Sequence, residues 1–276
     1  MPLWTPAYSN PATSMWIDAT DASTITLSGS NVAQINDKSA SGANFLQSSS
    51  GSQPARITSG GINNLPCLQF DGSSDILVGN VAAETLTQNI GALSIYSVFH
   101  TTGGNGTRRA VLYFSTNSSL SARAGLFVLP SPIRIETGGR RLDGNSYQTV
   151  AVAATTPCLG ASIFDFANAA ASVGVDAVYT ARGGGFQTAG NTSNTASALA
   201  SLGNGGGNIF GGTIGEVIVF KSVLALSARE LIEGYLAHKW GLQTKLSSSH
   251  PYRLTPPMLP QTDTRRRRSS SGGFGL

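Results

Sequence analysis

Hydrolysis of a glycosidic bond needs two carboxylates flanking the scissile linkage, one as nucleophile or base and one as acid. On a strand, acidic side chains at alternate positions would share a face, as in a pattern E-x-D-x-x-E. The glutamates here are Glu84, Glu136, Glu216, Glu230 and Glu233, and none has an aspartate two residues away. His100, His238 and His250 are not spaced to hold zinc, and H-E-x-x-H is absent. So is G-x-S-x-G, the elbow that presents a nucleophilic serine. Gly203 to Gly207 leads toward a strand-like run rather than a helix, so it lacks the N-terminal dipole that would bind phosphate. The types present argue against catalysis, and no catalytic residue is assigned.

Binding chemistry is better represented. Arg108, Arg109, Arg140, Arg141 and Arg182 stand beside glycines in three polar segments. Gathered at one edge, their planar forks would suit an anionic glycan or an acidic protein surface. The plainer reading is that they are solvated hairpin ends. Asp18, Asp21, Asp71 and Asp75 are calcium ligands by type, but Asp18 and Asp71 are better explained as strand-end and turn residues. No metal or other cofactor is assigned, with calcium as the alternative. Arg265 to Arg268 supply four of 18 basic residues, so without them 14 basic side chains face 14 acidic ones. The net charge of +4 and the pI near 9.3 therefore belong to the tail, not to a basic face on a domain.

The elements that must position these residues centre on Gly211 to Leu242. Ile214 to Phe220 is a short, β-branched run bounded by glycines, which predicts a buried strand. From Ala228 to Trp240 the period becomes helical, with Ala228, Leu231, Ile232, Tyr235 and Leu236 on one stripe. Ser227 and Glu230 have the spacing of a capping box, which leaves Glu233 on the exposed face, and Gly241 is placed to end the helix. Lys239 and His238 then fall in the last turn, where positive charge suits the dipole.

Upstream, short runs from Met15–Ala19 to Leu199–Leu202 alternate with Gly, Ser and Asn turns, at spacings typical of an antiparallel sandwich. Ile133–Glu136 reads as a short strand ending at Gly138-Gly139, and Ala171–Tyr179 as a single strand. Residues 28–59 read as a long surface excursion in which Ile35 and Phe45 tuck inward. With 276 residues and 40% hydrophobic content, one large all-β domain can build a core. No stretch approaches the ~18 apolar residues of a membrane span, and the first residues lack the character of a secretory signal. Cys67 and Cys158 read as buried free thiols, with a disulfide as the alternative.

IGEVIVF, LSARELIEGYLAHKWGL, HPYR and Pro256-Pro257, together with Trp16-Ile17-Asp18-Ala19, Asn36-Asp37-Lys38-Ser39 and Phe70-Asp71-Gly72, carry a resemblance. Over about residues 14–257 the chain resembles the concanavalin A-like lectin/glucanase superfamily. Within it, the nearest likeness is to laminin-G-like jelly-roll modules of phage and bacterial proteins. The resemblance implies a two-sheet antiparallel β-sandwich, or jelly roll, with one C-terminal amphipathic helix. The divisions expected are an arm (1–13), the domain (14–257) and a basic Ser/Gly-rich tail (258–276).

For function the resemblance implies a non-enzymatic virion structural protein, made in the host cytoplasm: a head decoration, fibre or tail component whose partners are other virion proteins, in a homo-oligomer or a capsid or tail assembly. The alternative is a carbohydrate-binding adhesion module whose partner is a surface glycan; a glycoside hydrolase ranks below both. Arm and tail are expected to be mobile until partners order them, because Pro, Ser and Gly bury little apolar surface against an ordering cost of about 1–2 kcal/mol per residue. Trp4 and Phe274 would anchor them, and Arg265, Arg266, Arg267 and Arg268 would meet carboxylates or nucleic acid. With no carboxylate pair, the isolated protein should release no reducing sugar from β-glucans. Release above a heat-killed control, abolished by replacing one acidic residue, would overturn that.

Overall fold

The computed structural model describes residues 2–82, 86–87, 90–103, 108–114, 124–140, 147–182, 199–203 and 208–260. Among the described residues seventeen strands, β1 (Met15–Asp18) to β17 (Gly211–Phe220), fold into two antiparallel layers, and helix α1 (Leu226–Lys239) follows β17. In the first layer β17 pairs with β8 (Ala92–Gly103), and β8 with β13 (Cys158–Asp165), β14 (Ala170–Val175) and β15 (Val178–Arg182) in succession. Along its other side β17 is shared by β6 (Cys67–Asp71) and β1. The second layer runs β12 (Tyr147–Ala153), β11 (Arg134–Arg140), β10 (Ala124–Leu129), β9 (Arg109–Phe114), β16 (Leu199–Leu202) and β7 (Leu77–Ala82). Strands β2 (Ile25–Ser28), β3 (Asn31–Ile35), β4 (Phe45–Leu46) and β5 (Ala55–Ile57) connect the two layers, with β4 pairing β7 and β5 pairing both β3 and β6.

Alternation builds two large cores and a small cluster of Ala110, Tyr113 and Phe127. Side chains on one face of each layer, such as Ile95, Phe99, Leu126, Val128, Val217 and Val219, form the core between sheets. Ile35 and Phe45 join it fully buried, as their sequence context predicts. Polar groups inside it are paired: Thr137 donates to Ser162 Oγ (2.8 Å) and Ser162 to the Gly125 carbonyl (3.1 Å), which links the layers. The opposite face of the first layer, with Tyr96, Val98, Leu159, Ile218 and Phe220, makes a second core beneath α1.

The helix differs from the expected one at its start. It begins at Leu226, two residues early, with Ala225 as an extended N-cap that offers no side-chain bond. Ser227 thus lies inside the first turn, and the capping box does not form. Its end is as expected: Gly241 takes φ 69°, and Leu242 N–H reaches the Ala237 carbonyl at 2.7 Å, closing a Schellman motif. The buried face holds Ile232, Glu233, Gly234, Leu236 and Ala237, whereas Leu231 and Tyr235 are half-buried.

Two strand assignments change. The run 171–179 is a hairpin, because Asp176 (φ 51°) and Ala177 (φ 68°) form a two-residue left-handed turn between β14 and β15. No Asn-Gly marks it. The turn is held from outside, since Asp176 accepts from Leu159 N–H (3.0 Å) while its own N–H reaches the Leu159 carbonyl (2.8 Å). Likewise β11 continues through Gly138-Gly139 instead of ending there.

The N-terminal arm is also seated, contrary to the expectation of mobility. Leu3 bridges to Met258, Trp4 N–H donates to the Pro257 carbonyl (3.0 Å), and Leu259 N–H to the Pro2 carbonyl (3.0 Å). Trp4 is 5% exposed and packs edge-on against Tyr235. The buried indole, the buried Pro6 and the backbone bonds to the C-terminal segment together favour this seat, which the arm's Pro and Ser content obscures. Cys67 and Cys158 are buried free thiols.

Leu236→Ala, at a fully buried position, should cost about 2–5 kcal/mol. Leu231→Ala, on the stripe singled out by periodicity, should cost clearly less. Equal shifts in urea midpoint would mean that the helix is seated on a different face.

Candidate functional site

Glu216 lies on the outer face of β17, in register with Asp18 on β1, and is completely buried. Its carboxylate accepts from Trp16 Nε1 (2.6 Å), Tyr235 Oη (2.9 Å), Trp240 Nε1 (2.9 Å) and Lys239 Nζ (2.8 Å). Lys239 also donates to Asp18 Oδ1 (2.8 Å) and, at 3.3 Å, to the Tyr235 hydroxyl. Asp18 extends the network through Lys38 to Asp21, each contact 2.9 Å. Gly215 makes room for this arrangement, since a Cβ there would stand 2.5 Å from the Trp240 ring. Burial raises the Glu216 pKa, against the pull of Lys239. Burial would also raise that of Asp18, but Lys239, Thr20 and Lys38 outweigh it and the net shift is downward. In Asp21 the Ser23 hydroxyl and then Lys38 bring the value down to about 2.

Glu233, expected on the exposed face, is a second buried carboxylate, 1% exposed. It accepts from the Tyr179 hydroxyl (2.6 Å), lies 3.2 Å from His250 Nε2, and has the Arg229 guanidinium at 3.4 Å. It thereby ties α1 to β15 and to the segment after the helix. That segment crosses α1 at Gly234, where a Cβ would meet Tyr252 at 2.4 Å.

These two anchors fix the walls of a cleft of about 400 Å³ between the arm, α1 and the C-terminal segment. Trp4, Tyr235, His238, Lys239, Pro256 and Pro257 line it. Its size falls in the range of about 300–1,000 Å³ usual for small-ligand sites, and its make-up is aromatic and apolar with a few polar groups. Its residues are scattered over more than 250 positions of sequence. The residue pair Pro256-Pro257 and the lone Trp4 were the available signals, each read for another role.

Arg109 and Arg140 do not share a strand end. Arg109 opens β9 opposite Val128, which pairs with Ile135, whereas Arg140 ends β11 five residues farther along, about 17 Å at strand rise. Arg182 ends β15 in the other layer. The side chains of Arg140 and Arg182, and the whole of Arg141, lie outside the described residues, as do Arg265–Arg268 and Phe274. Arg108 is engaged: its guanidinium grips both oxygens of buried Glu136 and lies 5.9 Å from the Phe127 ring centre. Trp4, considered as a partner anchor, is occupied within its own chain. The aspartates considered for calcium fall in two places, since Asp18 and Asp71 pair with positions 216 and 211 of β17. Lysines, hydroxyls and backbone N–H groups take their oxygens.

No protein-family profile matches the chain, and no curated protein matches it in sequence. Solved structures do. An arabinofuranosidase complexed with arabinofuranosyl-α-1,2-xylobiose is similar at TM-score 0.51 and 14% identity, over 74% of this chain and 50% of that one. Domain 4 of AbnA, a GH43 extracellular arabinanase from Geobacillus stearothermophilus, in complex with arabinotriose, gives 0.48 and 13% over 70% and 89%. The CBM40 of a Ruminococcus gnavus IT-sialidase, bound to α2,3-sialyllactose, gives 0.41 and 20% over 52% and 82%. The first likeness agrees with the sandwich fold described above; this chain spans half of that structure.

Replacing Glu216 by Ala leaves Lys239 and two indoles facing an empty buried site, and should cost about 3–5 kcal/mol in urea denaturation. The pH response has two opposite parts. Asp21, lowered from 3.8 to about 2, supports folding above pH 3.8 and loses that support as pH falls toward 2. Glu216, raised from 4.5, favours folding below pH 4.5 and loses that contribution as pH rises through its folded value. Glu216→Gln should therefore abolish part of the decline above pH 4.5. An unchanged stability–pH profile would show that the carboxylate does not titrate in that window.

Proposed function

We propose that this chain is a non-catalytic carbohydrate-binding module. The observation that carries the reading is the arm–helix cleft, with aromatic and proline walls against which the C–H face of a sugar ring can lie. The state of the carboxylates supports the non-catalytic part. Glu136, Glu216 and Glu233 are each buried and held by hydrogen bonds or an ion pair, so none is placed to exchange protons with a substrate. The sandwich shared with the arabinofuranosidase chain supports the fold on which the reading rests, and not its ligand. The virion role implied by the sequence resemblance gains no support from the fold or from these likenesses, so the glycan-binding alternative is carried forward.

A glycan array probed with the full-length chain should give binding without product release. Tryptophan fluorescence should shift on binding, and the shift should shrink in Trp4→Phe. Absence of binding across the array, or turnover of a bound glycan, would overturn the proposal.

A further inference from the structure

The polar groups around the cleft differ in what they have left to offer a ligand. Lys239 has three N–H donors, and Asp18, Glu216 and the Tyr235 hydroxyl accept all three. Two carboxylates at 2.8 Å also match its charge. The cation in the wall is therefore spent, both as a donor and as an attraction for anions.

His238 is the reverse case. Its Nε2 stands 2.7 Å from the Tyr252 carbonyl oxygen, which can only accept, so Nε2 carries the proton. In the neutral ring Nδ1 is then an acceptor, and no partner engages it among the described residues. Thr5, on the arm side of the cleft, caps the short turn Pro6–Tyr8 through its backbone position alone, its side chain making no cap bond. One acceptor, one hydroxyl and apolar rings remain.

We infer that the cleft selects a neutral, hydroxyl-bearing sugar ring, with His238 Nδ1 accepting from a ligand hydroxyl and Thr5 Oγ1 making a second bond, and that it discriminates against carboxylated sugars. The inference rests on the carbohydrate-binding reading and adds the site, the ligand class and two specificity residues. An anionic sugar would bring a charge that finds only the neutral Thr5 hydroxyl and no unpaired cation among the lining residues, so losing its hydration there is costly. A neutral ring matches the leftover groups, with C–H faces toward Tyr235 and the prolines. Because Leu3, Trp4 and Thr5 belong to the arm, the ligand also bridges arm and helix, so its binding holds the arm in place.

The test is titration calorimetry on the full chain with neutral arabino-, xylo- and gluco-trioses and with acidic sialyllactose, for the wild type, His238→Phe and Thr5→Val. At least one neutral triose should bind, and sialyllactose should not. His238→Phe should weaken the neutral ligand about tenfold, the scale of one lost hydrogen bond. Thr5→Val, nearly isosteric and away from the Tyr252 contact, should weaken it severalfold; it keeps the test valid if His238→Phe does not fold. Binding of sialyllactose alone would overturn the ligand class while leaving the module reading intact. Neutral binding unaffected by either variant would overturn the site, again without touching the module reading. No binding of any sugar would sink both.

Discussion

A single carboxylate, that of Glu216, organises the outer half of this sandwich. Isolated in a protein interior, an ionised carboxylate is strongly disfavoured, and only close donors or opposite charge make it tolerable. Here two indole N–H groups, a phenol and an ammonium converge on it. Each donor comes with a large apolar body. Satisfying the charge therefore fixes Trp16 on β1, and Tyr235, Lys239 and Trp240 at the end of α1, and the two indoles are part of the second core, with Tyr235 packed against it. The helix is not merely laid on the sheet by hydrophobic contact, which is non-directional. Directional bonds specify its rotation and its depth.

That dependence explains what sequence could and could not reveal. Strand β17 and helix α1 were legible because their signals are local: a β-branched run, an apolar stripe, a glycine at C′. The network was not, because Trp16 and Glu216 stand 200 residues apart and nothing in the spacing joins them. Glu233 was misread for a related reason. Periodicity ranks residues by polarity, so a carboxylate on the buried face is assigned to solvent unless its partners, Tyr179 and His250, are known. The capping box had the right letters, but the N-cap position falls on Ala225 and α1 begins at Leu226, so Ser227 lies inside the first turn.

The arginines and the arm show the same limit from the other direction. Glycine-flanked arginine pairs suggested a shared edge, yet strand register decides which end of a strand a residue occupies, and register is set by pairing across the sheet. It places Arg109 and Arg140 at opposite ends of one layer. In the arm, composition pointed to disorder because most of its residues bury nothing. The buried indole and the backbone bonds shift that balance where a shaped seat exists, and the seat is built from Tyr235 and the segment through Leu259.

In the proposed binding role, stability and ligand recognition are consequently not separable on this face. Tyr235 and Lys239 line the cleft and are, in the same geometry, donors to Glu216. Moving either to suit a ligand would strip a donor from a buried carboxylate, so the inner wall is rigid for electrostatic reasons. The outer wall has no such constraint: the arm is held by a few backbone bonds and by Trp4. A cleft with one fixed wall and one zipped wall can admit a ligand by loosening the arm alone. Adaptation to ligand size would then fall on Leu3 to Thr5, while the positions of Tyr235, His238 and Lys239 stay those that the buried charge requires.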